Sequence, residues 1–320
     1  MAVVIFKRTD WFPWIGECNW RGYDREYFMA YCHTRRYGDY EHWAYWNGAE
    51  PEILEGLKQA DVLFLGNSRT QFAFSTEAVS DFFRDYPSKH YVFGFGVGSQ
   101  SEVPLRMIER HKLKPKVLVI NADPFFSDYF SDVNVRMTKN DRSTSWGFDA
   151  RKWLQKEQRK ICVGNKTSNG IVKKAFCSGE SETLYRNRKN GHWRTDFFRE
   201  NKMIPVSYDD KLLLDRLDKT VEYAQNFIKR TGIDRSCVII TVTPRTDTPL
   251  QFARRLADKL QVPSAFPSID GLITIDGSHL DKVSAERWSR EFLRLAKPVI
   301  DRCAVRGGKL DSASSHHHYQ

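Results

Sequence analysis

Four short apolar runs, three of them trailed by a stretch with helical periodicity, restrict this chain more than any other feature. Asp61–Leu65, His90–Phe93, Lys116–Ile120 and Ser236–Thr243 read as buried strands, too uniformly apolar for sheets with one wet face. Glu77–Phe83, Glu102–His111 and Leu250–Leu260 carry helical spacing after the first, second and fourth of these, and Leu212–Arg230 precedes the fourth as a long amphipathic helix. Leu272–Ile275 is read as a further short strand and Ser284–Leu295 as the closing helix. Strands alternating with helices predict a three-layer α/β/α domain with a mostly parallel sheet. In such sheets chemistry gathers beyond the C-terminal ends of the strands. Ser68, Gly98, Asn121, Asp123 and Asp276 all follow predicted strands by a few residues.

The rhythm sets the domain boundaries. Residues 1–58 form an aromatic lead-in whose Trp11, Trp14, Trp20, Trp43 and Trp46 are expected to pack on the α/β core, because exposing so many indoles is costly. The α/β domain spans 59–305, interrupted at about 127–210 by a polar, basic insertion. The tail from 306 to 320, with His316, His317 and His318, reads as disordered and as a tag remnant rather than a metal site. No apolar run approaches the ~20 residues of a membrane helix, and no secretory leader is evident. The six cysteines include no Cys-x-x-Cys pair, which argues against structural zinc. Cys162 and Cys177 would close a short loop in the insertion, whereas Cys237, in an apolar run, reads as a buried thiol.

A net charge of +10 favours anionic surroundings. Much of the excess lies between Arg136 and Arg199, interleaved with Trp146, Trp153, Phe176, Tyr185 and Trp193. Such a surface can stack on sugar rings or bind nucleic acid, but its ordinary reading is a solvated insertion. No zinc-finger, RNP-like or zipper pattern supports nucleic acid, which ranks last among the partners.

Two segments carry specific chemistry. Gly66-Asn67-Ser68-Arg69 puts a hydroxyl on a turn after the first strand, and Asp276-Gly277-Ser278-His279 puts a carboxylate and an imidazole three residues apart. Together they predict an acyl-transfer triad: Ser68 as nucleophile, His279 as general base and then acid, Asp276 orienting the ring. Backbone N–H groups of Ser68 and Gly98, with Asn121, would hold the oxyanion. Arg69 would contact an anionic substrate or pack outward, outward packing being the preferred reading. Each segment alone has a plainer meaning, a common strand-to-helix turn and an N-cap before a surface histidine. Gly94-x-Gly96-x-Gly98 lacks the spacing of a dinucleotide loop. No metal or cofactor is expected.

These blocks resemble the SGNH (GDSL-like) hydrolase superfamily over roughly residues 60–125 and 235–296. Gly66-Asn67-Ser68 is similar to the nucleophile block, with Asn for Asp. Gly98-Ser-Gln-Ser101 resembles the glycine block that supplies an oxyanion N–H. Asp276-x-x-His279, followed by Ser284–Trp288, resembles the last block. Ile120-Asn121-Ala122-Asp123 departs from the family's Gly-x-Asn-Asp and leaves Asn121 for the donor role. The resemblance implies a flavodoxin-like topology and a serine esterase or O-acyltransferase, acetyl by preference, acting on an acylated carbohydrate. Its narrower form, to polysaccharide O-acetylation proteins, implies a membrane-bound acyltransferase partner and, given an upstream anchor, a periplasmic or membrane-associated setting. The alternative is a non-catalytic polysaccharide-binding scaffold that keeps the fold.

Overall fold

In the computed structural model the described residues are 22–32, 40–50, 52–96, 100–127, 183–195, 202–208 and 214–306, with 150, 153 and 157. In chain order they form β1 (Tyr27–Cys32), α1 (Tyr40–Asn47), α2 (Ile53–Lys58), β2 (Val62–Gly66), α3 (Ser68–Ala73), α4 (Thr76–Arg84) and β3 (His90–Gly94). Next come α5 (Glu102–His111), β4 (Val117–Asn121), β5 (Thr183–Asn187), β6 (Trp193–Arg194), β7 (Ile204–Pro205) and α6 (Leu217–Thr231). The chain closes with β8 (Val238–Thr241), α7 (Leu250–Leu260), β9 (Ile273–Thr274) and α8 (Lys282–Ile300). Two compact units result, one from the described parts of 1–54 and 131–199, the other from those of 55–130 and 200–320.

The second unit is an α/β domain around a four-stranded parallel sheet, ordered β3-β2-β4-β8. Alternation along the strands divides their side chains between the two faces of the sheet. Val62, Phe64, Val92, Val117, Val119 and Ile239 pack with Val79 and Phe83 of α4 and Trp288 and Phe292 of α8. Leu63, Leu65, Tyr91, Phe93, Leu118, Ile120 and Ile240 are buried as well, and α5, α6 and α7 pack as a second helical group, with α7 against β8. Caps set the helix starts: the Ser75 hydroxyl accepts from Ala78 N–H and the Asp281 carboxylate from Ser284 N–H.

Register aligns the functional ends. Gly66 pairs with Gly94, Leu65 with Ile120, and Asn121 with Thr241, so four strands finish side by side. From β2 the chain goes to β3 on one side and then to β4 on the other. Their shared end is therefore the point where strand order reverses, the usual place for a ligand crevice. One expectation is corrected here. The 272–275 strand does not extend the parallel sheet, because β9 pairs antiparallel with β7, Ile204 opposite Thr274.

The first unit pairs β1 antiparallel with β5, and β5 with β6. The aromatic N-terminal segment thus has the insertion as its strand partner. Within it Arg186 pairs with Glu41 at 3.2 Å and Arg188 with Glu50 at 2.8 Å, all four side chains buried. The Arg186 guanidinium lies 5.3 Å from the Tyr45 ring centroid and 5.7 Å from that of Trp193. These arginines are not the solvated face expected of the insertion, and the buried Tyr185 and Trp193 cannot stack on a sugar. Trp153 is exposed, while Trp11, Trp14, Trp20, Trp146 and Phe176 lie outside the described residues, as do Cys162, Cys177 and the histidine tail.

Cys237 is also corrected. It sits in a 3-10 turn just before β8 and forms a disulfide with Cys303, 66 residues later, in the π-type turn that ends α8. An apolar run conceals such a partner because pairing depends on where the closing helix ends. Cys32 is disulfide-bonded too. Among the described residues no helix is long and apolar enough to cross a membrane.

Candidate active site

The Ser68 turn is assembled by close approach. At the end of β2, a Cβ added to Gly66 would fall 2.0 Å from Thr70 Oγ1, so only glycine fits beneath the first turn of α3. A Cβ on Gly94 would fall 2.6 Å from the Asn67 carbonyl oxygen, which is how close β3 comes to the turn. Asn67 caps α3: its side-chain oxygen accepts from Arg69 N–H at 3.0 Å and its Nδ2 donates to the Asp123 carbonyl at 2.8 Å. Gln71 Nε2 donates to the Val92 and Gly94 carbonyls, and Phe74, just past α3, packs against Phe64, Trp288 and Phe292. The short helix carrying Ser68 is thereby fixed at both ends.

The second segment is a tight loop. Asp276 Oδ1 accepts from the N–H groups of Ser278 and His279, each at 2.8 Å, and Oδ2 lies 2.7 Å from His279 Nδ1. Gly277 takes φ +85°, a left-handed conformation that side chains strain to adopt. Its carbonyl accepts from Thr246 N–H and Thr246 Oγ1. The cap of α8 is Asp281, so Asp276 is not merely a helix cap. His279 Nε2 lies 2.9 Å from Ser68 Oγ across 211 residues of sequence. Ser68, His279 and Asp276 are therefore brought together as one hydrogen-bonded chain. The Phe72 ring sits 4.5 Å from the imidazole, tilted, and walls one side of it. Burial works against ionisation of Asp276, but the His279 ring and the two backbone donors outweigh it and bring the carboxyl down to about 2.

Asn121 does not take the position expected of an oxyanion donor. Its carboxamide is buried and donates to Thr70 Oγ1 at 3.2 Å and Thr243 Oγ1 at 3.1 Å, while its oxygen accepts from Thr243 N–H. Both amide protons are committed, tying the end of β4 to α3 and to the residue two past β8. Gly98 lies outside the described residues. Arg69 does not pack outward either. Its Nε donates to Ser278 Oγ at 2.9 Å, and Nη1 reaches Asp123 Oδ2 at 3.1 Å. Asp123 also pairs with Arg245 Nε at 2.8 Å, and Arg245 pairs in turn with Asp247. Burial pushes the Asp123 carboxyl up and the Arg69 guanidinium down, each resisted by the charge of the other. Phe72, Thr246, Arg245 and Ser278 were not singled out from sequence. Arg245 follows a strand end, the one signal that pointed to it.

Among the described residues no group of three His, Cys, Asp or Glu side chains could hold a metal ion. No family model matches the chain, and no curated protein and no solved structure matches it.

Proposed function

We propose that Ser68, His279 and Asp276 form an acyl-transfer site, and that the protein is a serine esterase or O-acyltransferase, acetyl by preference, acting on an acylated carbohydrate. The observation that carries this is the continuous contact from Ser68 Oγ to His279 Nε2 at 2.9 Å and from Nδ1 to Asp276 at 2.7 Å. The ionised Asp276 accepts a hydrogen bond from His279 Nδ1–H, so the unprotonated Nε2 faces Ser68 and takes its proton as Oγ attacks the ester carbonyl. The Ser68 N–H, first in α3 and so without an intrahelical acceptor, meets the developing oxyanion. The imidazolium then protonates the departing alcohol. In the second half-reaction His279 deprotonates water or a sugar hydroxyl, which attacks the acyl-enzyme and frees Ser68.

A three-layer α/β/α arrangement of SGNH type accompanies this reading, supported by the parallel sheet covered on both faces and by the blocks at its strand ends. The Cys237–Cys303 disulfide supports an oxidising, extracytoplasmic setting, where such bonds persist. Turnover of acetylated xylan or p-nitrophenyl acetate by wild type and Ser68→Ala tests the reaction. Loss of about 10⁴-fold or more is expected, and equal rates in the two proteins refute the mechanism.

One observation favours a second reading, a glycan-binding scaffold without turnover. The committed amide of Asn121 leaves one oxyanion donor fewer, a deficit that typically costs about 10²–10³ in rate. Glycan binding by wild type and Ser68→Ala alike, with no turnover by either, would establish it.

A further inference from the structure

We infer that Arg69 is a positioning residue that holds the His279 loop in register with Ser68, an inference that rests on the acyl-transfer reading of the site. The sheet leaves this register open. Ser68 follows β2 in the parallel sheet, whereas His279 follows β9, whose ladder among the described residues is a separate two-stranded one with β7, besides a single bridge from Thr274 to Leu280. Among the described residues no strand ladder therefore joins β2 to β9 to fix the 2.9 Å contact between Ser68 and His279. Helix α8 packs on the far end of α3, where Ser289 Oγ donates to the Ala73 carbonyl, several residues from either reacting group.

Arg69 spans the gap. Its backbone is adjacent to Ser68, and its Nε donates to the hydroxyl of Ser278, the residue before His279. Nη1 is anchored on Asp123, a carboxylate only 3% exposed. The same carboxylate grips Arg245, whose neighbour Thr246 holds the Gly277 carbonyl through both N–H and Oγ1. The loop is thus held at two consecutive residues, Gly277 and Ser278, by two arms that converge on one buried anion. A planar guanidinium addresses Ser278 through Nε and Asp123 through Nη1 at once; the single nitrogen of a lysine ammonium cannot occupy both positions.

The test is a set of four variants, Arg69→Ala, Arg69→Lys, Ser278→Ala and the Arg69→Ala/Ser278→Ala double, with two readouts. The first is the second-order rate of Ser68 modification by a small neutral fluorophosphonate, which needs no substrate recognition. Arg69→Ala is expected to slow it by about 10–100-fold, since a displacement near 1 Å costs about that much. Ser278→Ala is expected to slow it in the same direction, and the double variant no more than Arg69→Ala alone. Arg69→Lys, which keeps a charge for Asp123, is expected to keep the melting temperature without restoring the rate. Restoration of the rate by Lys, or wild-type rates in Arg69→Ala and Ser278→Ala, overturns the inference.

The second readout is the 15N chemical shift of His279 Nε2 at one fixed pH, which reports its contact with Ser68 Oγ without turnover. Ser68→Ala is expected to move that signal in the wild-type background and to leave it unmoved in Arg69→Ala. An equal change in both backgrounds, or none in wild type, overturns the positioning role. Absence of labelling in wild type refutes acyl transfer instead, and the Nε2 signal still decides for or against Arg69.

Discussion

Gly94→Ala probes how the nucleophile turn is built. The new methyl carbon would lie 2.6 Å from the Asn67 carbonyl oxygen and 3.2 Å from Thr70 Cβ and Gln71 Cγ. Ordinary contact begins at 3.4 Å, so the turn or the strand must give by about 0.8 Å. The obstructing atom is backbone and cannot rotate away. Overpacking of this kind costs about 1–3 kcal/mol, or several degrees in melting temperature at roughly 2–4 °C per kcal/mol. The strain falls on Asn67, whose neighbour is Ser68, so ester turnover should drop by up to about 10²-fold. Gly96→Ala is the matched control, with nothing within 4 Å of its added carbon. p-Nitrophenyl acetate hydrolysis and thermal melts of both variants decide the matter. A Gly94→Ala protein that turns over and melts like Gly96→Ala refutes the close-approach account of the turn.

Replacing Cys237 and Cys303 by serine opens a 66-residue separation and should cost about 4 kcal/mol in the chain-entropy account; urea titration of the double variant measures it, and an unchanged midpoint contradicts it. Burial brings the His90 imidazole, against the Phe83 ring, down to about 4. The unfolded chain takes up this proton near pH 6.5 and the folded one only near 4, so stability is complete above pH 6.5 and declines as pH falls between them. The decline should reach about 1–3 kcal/mol. His90→Phe should flatten it in urea midpoints compared at pH 7 and pH 4.5, and an unaltered slope counts against the assignment. Asp276, lowered to about 2, contributes stability that is present above the unfolded carboxylate value of about 4 and lost as pH falls toward 2. An acid limb of turnover above pH 5 should accordingly persist in Asp276→Asn at a much lower rate; disappearance of the limb would assign it to Asp276.

The parts of the fold legible in sequence were those with local period. Helices α5 and α7 occupy the residues their apolar spacing indicated, and β2, β3 and β4 fall within a residue of the apolar runs. The Ser68–His279–Asp276 contact was legible because strand-end placement and chain order are carried by short motifs. What failed depended on distant partners. β1 and β5 are about 150 residues apart and lack a strong alternating pattern, since buried Arg186 reads as a surface residue until Glu41 is seen beside it. Asn121 looked like a free donor because its acceptors, Thr70 and Thr243, lie 51 and 122 residues away. Arg69 seemed to face solvent for the same reason, its acceptor Ser278 being 209 residues distant.

The central claim is that Ser68 is an activated nucleophile, and intact-mass measurement after fluorophosphonate treatment tests it most directly. Wild type should gain a single adduct, mapped to Ser68, with none on Ser68→Ala and a strongly slowed reaction on His279→Ala. A folded wild-type protein that gains no adduct, or an adduct that survives Ser68→Ala, would contradict the account.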